Sequence, residues 1–135
     1  MILRSLVAQL TNLAVSHALN GVRPSALTDG ADLTTWKTQG AYGFVSALIY
    51  FDGTAAASCT APTGGSAGVE LWGLKSGQWW LIGSLNGGTA IPIVSDTLGN
   101  VLQTDLVGGF DRLFVAGTAS VGTVTPQFVP LEAMR

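Results

Sequence analysis

The chain has 135 residues, of which 47% are hydrophobic and 10% are charged, and its formal net charge is −2. This length predicts one domain that can bury a core of its own. Ordinary soluble domains contain about 25% charged residues, so this chain has too few charges to coat its own surface. Its six Lys and Arg residues form no basic stripe, which argues against direct binding of nucleic acid.

A membrane protein, a poorly soluble monomer and a subunit that shares its surface with other subunits all fit such a composition. The run from Phe44 to Phe51 is among the longest apolar stretches, and Ser46 interrupts it. A spanning helix needs about 20 apolar residues, so we expect no membrane partner. The start of the chain has no long apolar core of the kind that signal peptides contain, so synthesis in the cytoplasm is expected. The composition therefore favours the shared surface.

Residues 1–19 are predicted to form an N-terminal arm. Leu3, Leu6 and Leu10 fit helical spacing, whereas the alternation from residue 13 to residue 19 fits a strand. A short helix over 3–12 that runs into an extended segment is one reading, and a strand is the other. The three leucines are candidate contacts to a neighbouring subunit, although the arm could equally pack on its own sheet.

Residues 20–135 are predicted to form a single β domain. Turn signals fill residues 20–40, and Asp29-Gly30 is a tight-turn pair. The stretch from Leu33 to Lys37 is read as loop or as short strands. Ala41–Phe51 has the aromatic and β-branched residues of a central strand. The segment from Gly53 to Gly68 contains only small, uncharged residues and prolines, so it is predicted to be a flexible loop that adds little to the core.

The strongest pattern is a tryptophan-rich β-hairpin. Val69–Leu74 and Gln78–Ile82 are apolar runs joined by Lys75-Ser76-Gly77, and a short glycine-containing loop between two such runs predicts a hairpin. Neither face of the first run is cleanly polar, so both faces are expected to be covered. Adjacent Trp79 and Trp80 must point to opposite faces of their strand.

Further short strands are predicted in the C-terminal half. They are Thr89–Val94, with Pro92 favouring a sheet edge, followed by Val101–Val107, Arg112–Ala116, Gly122–Thr125 and Gln127–Leu131. The total is about seven to nine strands with turns every 8 to 12 residues. That spacing predicts an all-β fold, an antiparallel β-sandwich or jelly roll.

Residues with catalytic potential do not form a recognisable constellation in the sequence. His17 is the only histidine and is predicted to be structural or exposed. Cys59 lies among small residues and is predicted to be unreactive. Asp29, Asp32 and Asp52 could ligate calcium in principle, but their spacing lacks an EF-hand ladder. We therefore predict that the chain is not an enzyme and holds no cofactor or metal.

Aromatic and basic residues are the candidate contact residues. Trp72, Trp79 and Trp80 could form a sugar-stacking platform, but core or subunit contact is the favoured interpretation. Trp36 and Arg112 are further candidate contacts, and Arg112 is expected to pair locally with Asp111, its neighbour in sequence.

The segment Gly108–Thr118, followed by Val121–Thr125, gives the chain a family likeness together with the hairpin Trp72–Trp80 and the region from Asn12–Val15 to Asp29-Gly30. In overall character these stretches resemble small capsid decoration, or cement, proteins of tailed bacteriophages. The resemblance implies a sandwich or jelly-roll fold, no active site, and an arm that contributes to contacts between subunits.

The sequence thus predicts a structural virion protein on the outside of a phage head, where it clamps neighbouring major capsid proteins. Its predicted partners are the major capsid protein and further copies of itself, as a dimer or trimer. Another phage structural module, in a tail, baseplate or head fibre, is the first alternative. A carbohydrate-binding module that uses a tryptophan face is the second.

Overall fold

The computed structural model describes residues 14–38, 46–54, 56–93, 101–104 and 109–131. Most of the predicted N-terminal arm lies outside these residues, and so do its candidate contacts Leu3, Leu6 and Leu10. The first part of the predicted strand Ala41–Phe51 lies outside them as well.

The described residues are mostly strand. The strands are β1 (Val15–Ser16), β2 (Ala31–Asp32), β3 (Ser46–Gly53), β4 (Ser58–Thr60), β5 (Glu70–Lys75), β6 (Gln78–Ser84), β7 (Ile91–Pro92), β8 (Val101–Thr104), β9 (Arg112–Ala116), β10 (Thr118–Ala119) and β11 (Val124–Leu131). A five-residue helix, α1 (Thr34–Thr38), follows β2, and a 3-10 turn (Leu85–Gly88) follows β6. Along the stretches described, no helix has the length and apolar character needed to cross a membrane.

These strands form three antiparallel sheets in an all-β sandwich, which confirms the predicted fold class. Sheet I has the order β1-β11-β3-β8, sheet II the order β2-β9-β5-β6, and sheet III the order β10-β4-β7. The longest ladder joins β3 to β11 over eight residue pairs, from Val124 opposite Gly53 to Leu131 opposite Ser46. β3 is central, as its apolar sequence predicted.

One core cluster joins residues from all three sheets. On β3 the side chains alternate, with Ala47, Ile49 and Phe51 buried and the residues between them partly exposed. They meet the following buried residues of the other strands: Phe128 and Val124 of β11, Leu71 of β5, Leu113 and Val115 of β9, Cys59 of β4 and Ile91 of β7. Alternation on strands therefore separates a core face from an outer face in sheets I and II.

The C-terminal strands agree in part with the sequence. β7 spans only Ile91–Pro92 of the predicted Thr89–Val94, and residues 94 and 105–107 of the predicted strands lie outside the described residues. The bounds of β9 coincide with the predicted Arg112–Ala116. β7 lies at an edge of sheet III, as Pro92 predicted, because proline has no N–H to give to a neighbouring strand. The two predicted pieces, Gly122–Thr125 and Gln127–Leu131, belong to one continuous strand, β11, which begins at Val124.

The prediction of loop or strand from Leu33 to Lys37 is wrong, since α1 occupies this region. The Asp32 carboxylate accepts hydrogen bonds from the backbone N–H and the hydroxyl of Thr34, which is how a short polar side chain satisfies the free donors of a helix start. The helix places Trp36 in the core cluster, where it is 3% exposed. The ring of Trp36 is therefore covered by its own chain.

The prediction of a core-free loop from Gly53 to Gly68 is also wrong. Residues 58–60 form β4, the central strand of sheet III, and Ala57 and Cys59 are buried. The prediction failed because it took the absence of large side chains as a sign that the segment is not buried. A Cβ on Gly117 would lie 2.6 Å from Cys59 Sγ, so the backbones meet too closely for anything but small residues.

Candidate functional site

The hairpin determines which tryptophans can face a partner. Ser76 and Gly77 have φ values of 54° and 71°, the left-handed values of a two-residue hairpin turn, and Lys75 pairs with Gln78. From this register Trp79 lies opposite Leu74, Trp80 opposite Gly73 and Leu81 opposite Trp72. Cross-strand partners share a face, so Trp72, Trp79 and Leu81 belong to one face of sheet II, and Trp80 belongs to the other.

A segment of the same chain covers the face that holds Trp72 and Trp79. We call residues 17–30 the strap. Arg23 donates from Nε to Oε1 of Glu70 at 2.9 Å and from Nη2 to Oε2 at 2.8 Å. Its guanidinium also lies 5.8 Å from the centre of the Trp72 ring, within the range of a cation–π contact.

Glu70 is the buried centre of this group, with a side chain that is only 4% exposed. The indole N–H of Trp72 donates to the same Oε1, at 3.0 Å. The hydrogen bonds from Arg23 hold the pKa of the Glu70 carboxyl below its usual range, although burial opposes them. A buried carboxylate with three donors fixes the strap over the start of β5.

The far end of the strap is held by backbone carbonyls. Arg112 of β9 donates to the carbonyl oxygens of Asp29 at 2.7 Å, Thr28 at 2.9 Å and Gly30 at 3.3 Å, and it lies 3.5 Å from the Asp32 carboxylate. The sequence predicted a local pair with Asp111, whereas these contacts reach back 80 to 84 residues along the chain. Arg112 therefore joins the strap to sheet II.

Trp79 contributes to the same closure. Its indole N–H donates to the carbonyl of Ala26 at 3.0 Å, and its ring meets Phe114 edge to face at 5.9 Å. The strap turn itself is stabilised by the Asp29 carboxylate, which accepts hydrogen bonds from the backbone N–H groups of Ser25 and Ala26. Trp79 is thus an anchor for the strap.

His17, at the start of the strap, provides β9 with a hydrogen-bond partner where no strand pairs with it. Its Nε2 accepts a hydrogen bond from the backbone N–H of Val115 at 2.9 Å, beyond the two residues where β2 pairs with β9. Nδ1 therefore holds the proton and donates to the carbonyl of Ala18. The ring stacks on Phe114 with centres 4.7 Å apart. Burial lowers the pKa of His17, while the Ala18 carbonyl and Asp29 act in the opposite direction.

The large apolar residues left open on this hairpin are Trp80, which is 49% exposed, and Leu81, which is 53% exposed. Both belong to β6, an edge strand of sheet II. The expectation that both faces of the hairpin are covered holds for β5, whose residues from Glu70 to Leu74 are buried or partly buried, but it is wrong for β6. β6 is exposed because no strand pairs with its outer side within the described part of the chain.

Two other residues with potentially reactive side chains, Asp52 and Cys59, contribute to the fold. Asp52 accepts a hydrogen bond from Gln127 and lines an open, threonine-rich depression with Thr54, Thr123 and Thr125. Burial raises the pKa of the Cys59 thiol to about 12, so this thiol is not a nucleophile near neutral pH. Among the residues that the structure describes, no group of three or more His, Cys, Asp or Glu side chains could hold a metal ion.

The strap was not predicted from the sequence. Its contacts with the rest of the chain join residues 42 to 98 positions apart, and no local pattern marks such pairs. The sequence signal for these contacts was that Arg23, Glu70 and Arg112 are charged residues in a chain with few charges.

Comparison with known proteins identifies no relative of this chain. The chain matches no protein-family model, and neither the curated proteins nor the solved structures contain a match to it.

Proposed function

We propose that this chain is a non-enzymatic structural virion protein, a decoration subunit that binds the outside of a phage head and clamps neighbouring major capsid proteins. The observation that supports this best is the uncharged, exposed strand β6 at the edge of a strapped β-sandwich. A protein with so few charges gains most from surfaces that other subunits cover. On a lattice, many weak contacts of this kind add up to stable attachment.

The strap supports a binding role over a catalytic one. His17, Glu70 and Arg112 are the residues that a mechanism would recruit first, and each is engaged in holding the strap to sheet II. Their hydrogen bonds connect elements that are far apart in sequence and rigidify one outer face. A clamp needs such rigidity, because a preorganised surface loses less entropy when it binds.

The N-terminal arm belongs to the same proposal. Residues 1–13 precede β1, which pairs with β11 at the edge of sheet I. Removing residues 1–13 is expected to weaken attachment to heads while leaving the sandwich folded. Unchanged attachment would remove the arm from the proposal without affecting the rest of it.

Reconstitution tests the proposal. Heads produced without the chain are mixed with purified protein, separated on a gradient and heated. The chain should co-sediment with heads at a fixed ratio to the major capsid protein and raise the temperature at which they open. Purified protein that never sediments with heads would contradict the proposal, and binding to isolated tails would favour the alternative of a tail, baseplate or fibre module.

A carbohydrate-binding module is the second candidate, and the half-exposed ring of Trp80 is the observation that favours it. Sugars stack on open aromatic faces, whereas Trp79 is held beneath the strap. A glycan array would show binding that Trp80→Ala abolishes and Trp79→Ala reduces only through stability. A folded wild type that retains no glycan would eliminate this candidate.

A further inference from the structure

The edges of the three sheets differ in how well they are protected against pairing with another strand. Within the described residues each sheet has two edge strands, and five of these six have two to four residues. Short strands, prolines and charges are the usual protection of an edge. β6 has seven residues, Gln78 to Ser84, and contains neither a charge nor a proline. Among the described edge strands it is therefore the long one without a charge or a proline.

The backbone of β6 offers hydrogen bonds on its outer side. In a hairpin with a two-residue turn, the residues next to the turn form a hydrogen-bonded pair, and bonded and non-bonded pairs then alternate. Gln78 and Trp80 thus bond to β5, whereas the N–H and C=O groups of Trp79 and Leu81 point away from it. A change of register between Leu71 and Trp72 places a bulge near Ile82, so the regular part of the edge is centred on Trp80.

The exposure of side chains on both faces of β6 indicates that its missing neighbour is a strand. Trp80 and Leu81 are about half exposed and lie on opposite faces of sheet II. A ligand bound to one face would cover only one of them. A strand added to the edge covers both at once, since its side chains alternate between the same two faces.

We propose that β6 pairs with β6 of a second copy, antiparallel and about a two-fold axis at Trp80, so that two copies of sheet II form one continuous eight-stranded sheet. In this register the two Trp80 side chains meet across the axis as a non-bonded pair. Trp79 of each copy lies opposite Leu81 of the other, and these pairs use the outward N–H and C=O groups of both residues. The two-fold axis makes the contact self-complementary.

Charge favours a second copy as the occupant. An uncharged strand meets its own copy without repulsion, and the antiparallel arrangement places the two Lys75 side chains at opposite ends of the contact. Strand rise and spacing put them roughly 20 Å apart, which is beyond the screening length of about 8 Å at physiological salt. The inference assigns a second copy to the strand that supports the proposed function, but it is tested on the isolated chain, so its failure can be distinguished from a failure to bind heads.

A contact built mainly on one strand pair lies at the small end of protein interfaces. We therefore expect a weak dimer, with a dissociation constant of about 10 to 100 µM.

Sedimentation equilibrium from about 1 µM to about 1 mM spans that range. The wild type should change from monomer to dimer, whereas Trp80→Lys and Trp80→Glu should each remain monomeric. An equal mixture of the two variants should dimerise again, because opposite charges then meet across the axis. Val121→Lys is the matched control, since Val121 is 65% exposed and lies outside β6, and it should dimerise like the wild type.

Trp80 also donates from its indole to the Lys75 carbonyl at 3.3 Å, so a charged residue there could weaken the hairpin itself. Leu81→Lys gives the same readout from the other face, because it opposes Trp79 of the second copy. A wild type that is monomeric at about 1 mM, or a dimer that survives both lysine variants, would overturn the proposal.

Cross-linking tests the register. Under mild oxidation Trp80→Cys should form a disulfide-linked dimer faster than Leu81→Cys or Val121→Cys, because only residue 80 opposes itself across the axis. The wild type serves as the negative control, because its cysteine, Cys59, is buried. Equal rates in the three variants would contradict a two-fold axis at Trp80.

Discussion

Arg23 and Glu70 lie 47 residues apart in the sequence and form a doubly hydrogen-bonded ion pair, Nε to Oε1 at 2.9 Å and Nη2 to Oε2 at 2.8 Å. The pair is asymmetric, because the Glu70 side chain is 4% exposed and the Arg23 side chain is 44% exposed. The carboxylate therefore depends on its partners more than the guanidinium does. This pair makes the strap part of the sandwich.

Glu70→Gln should lower the free energy of unfolding by about 1 to 3 kcal/mol, the usual worth of hydrogen bonds to a charged group. Urea denaturation at neutral pH measures the change. Arg23→Lys is the matched variant, since it keeps the charge but loses the planar two-bond geometry, and it should be less damaging. Equal stability of Glu70→Gln and the wild type would show that the pair contributes nothing.

The same carboxylate predicts a loss of stability in acid. Because the pKa of Glu70 is lower in the folded chain, its contribution is complete above the unfolded pKa of about 4.3 and is lost as the pH falls through the folded value. Urea midpoints measured from about pH 6 to about pH 2 should fall more steeply for the wild type than for Glu70→Gln. Parallel curves would contradict this assignment.

His17 predicts a second pH dependence, at higher pH. The folded pKa lies below the unfolded value of about 6.5, so the unfolded chain binds the proton more readily. Stability is then complete above about pH 6.5 and decreases as the pH falls towards the folded pKa. Protonation also places an N–H against the Val115 N–H.

Because the chain has one histidine, its imidazole NMR signals can be followed without assignment. The titration midpoint in the folded protein should lie below about 6.5. In His17→Gln the dependence of stability on pH between about 5 and 7 should disappear. A midpoint at or above the unfolded value would contradict the conclusion that the His17 ring is buried and neutral.

Gly30 is expected to tolerate no side chain. Its φ is +78°, and an added Cβ would lie 2.4 Å from the backbone oxygen of Leu113. Gly64 has a similar φ of +84° with nothing within 4 Å, so it is a matched control. Gly64→Ala should cost about 1 to 2 kcal/mol for backbone strain, and Gly30→Ala clearly more. Similar urea midpoints for the two variants would show that the strap can move away from β9.

Cys59 should react only when the protein opens. The thiol is fully buried and its pKa is raised to about 12, whereas an open thiol titrates near 8.5. Labelling with a thiol reagent at pH 8 should be slow in buffer and fast in denaturant. Fast labelling of the native protein would indicate that β4 opens readily.

The sequence was informative where structure is local. The hairpin and β9 were predictable because aromatic and branched runs next to glycine turns determine strand and turn within a few residues. The faces of Trp79 and Trp80 followed from alternation. Such patterns depend on neighbours along the chain, and they located most of the long strands.

The sequence was uninformative where a fold depends on distant partners. β4 consists of Ser58, Cys59 and Thr60, and their burial depends on the close approach of Gly117. The strap has the composition of a loop, and only its contacts with Glu70 and Arg112 make it a structural element. The candidate surface was predictable as a tryptophan hairpin, but its open part is the edge strand β6, and the place of a strand in a sheet depends on distant partners.

The most direct measurement of the central claim is a cryo-electron microscopy reconstruction of the phage particle to which the proposal assigns the chain. The proposal predicts density for the strapped sandwich on the outer surface of the head, in contact with at least two neighbouring major capsid proteins. A particle that lacks the chain, or that has it only in the tail, would contradict the proposal.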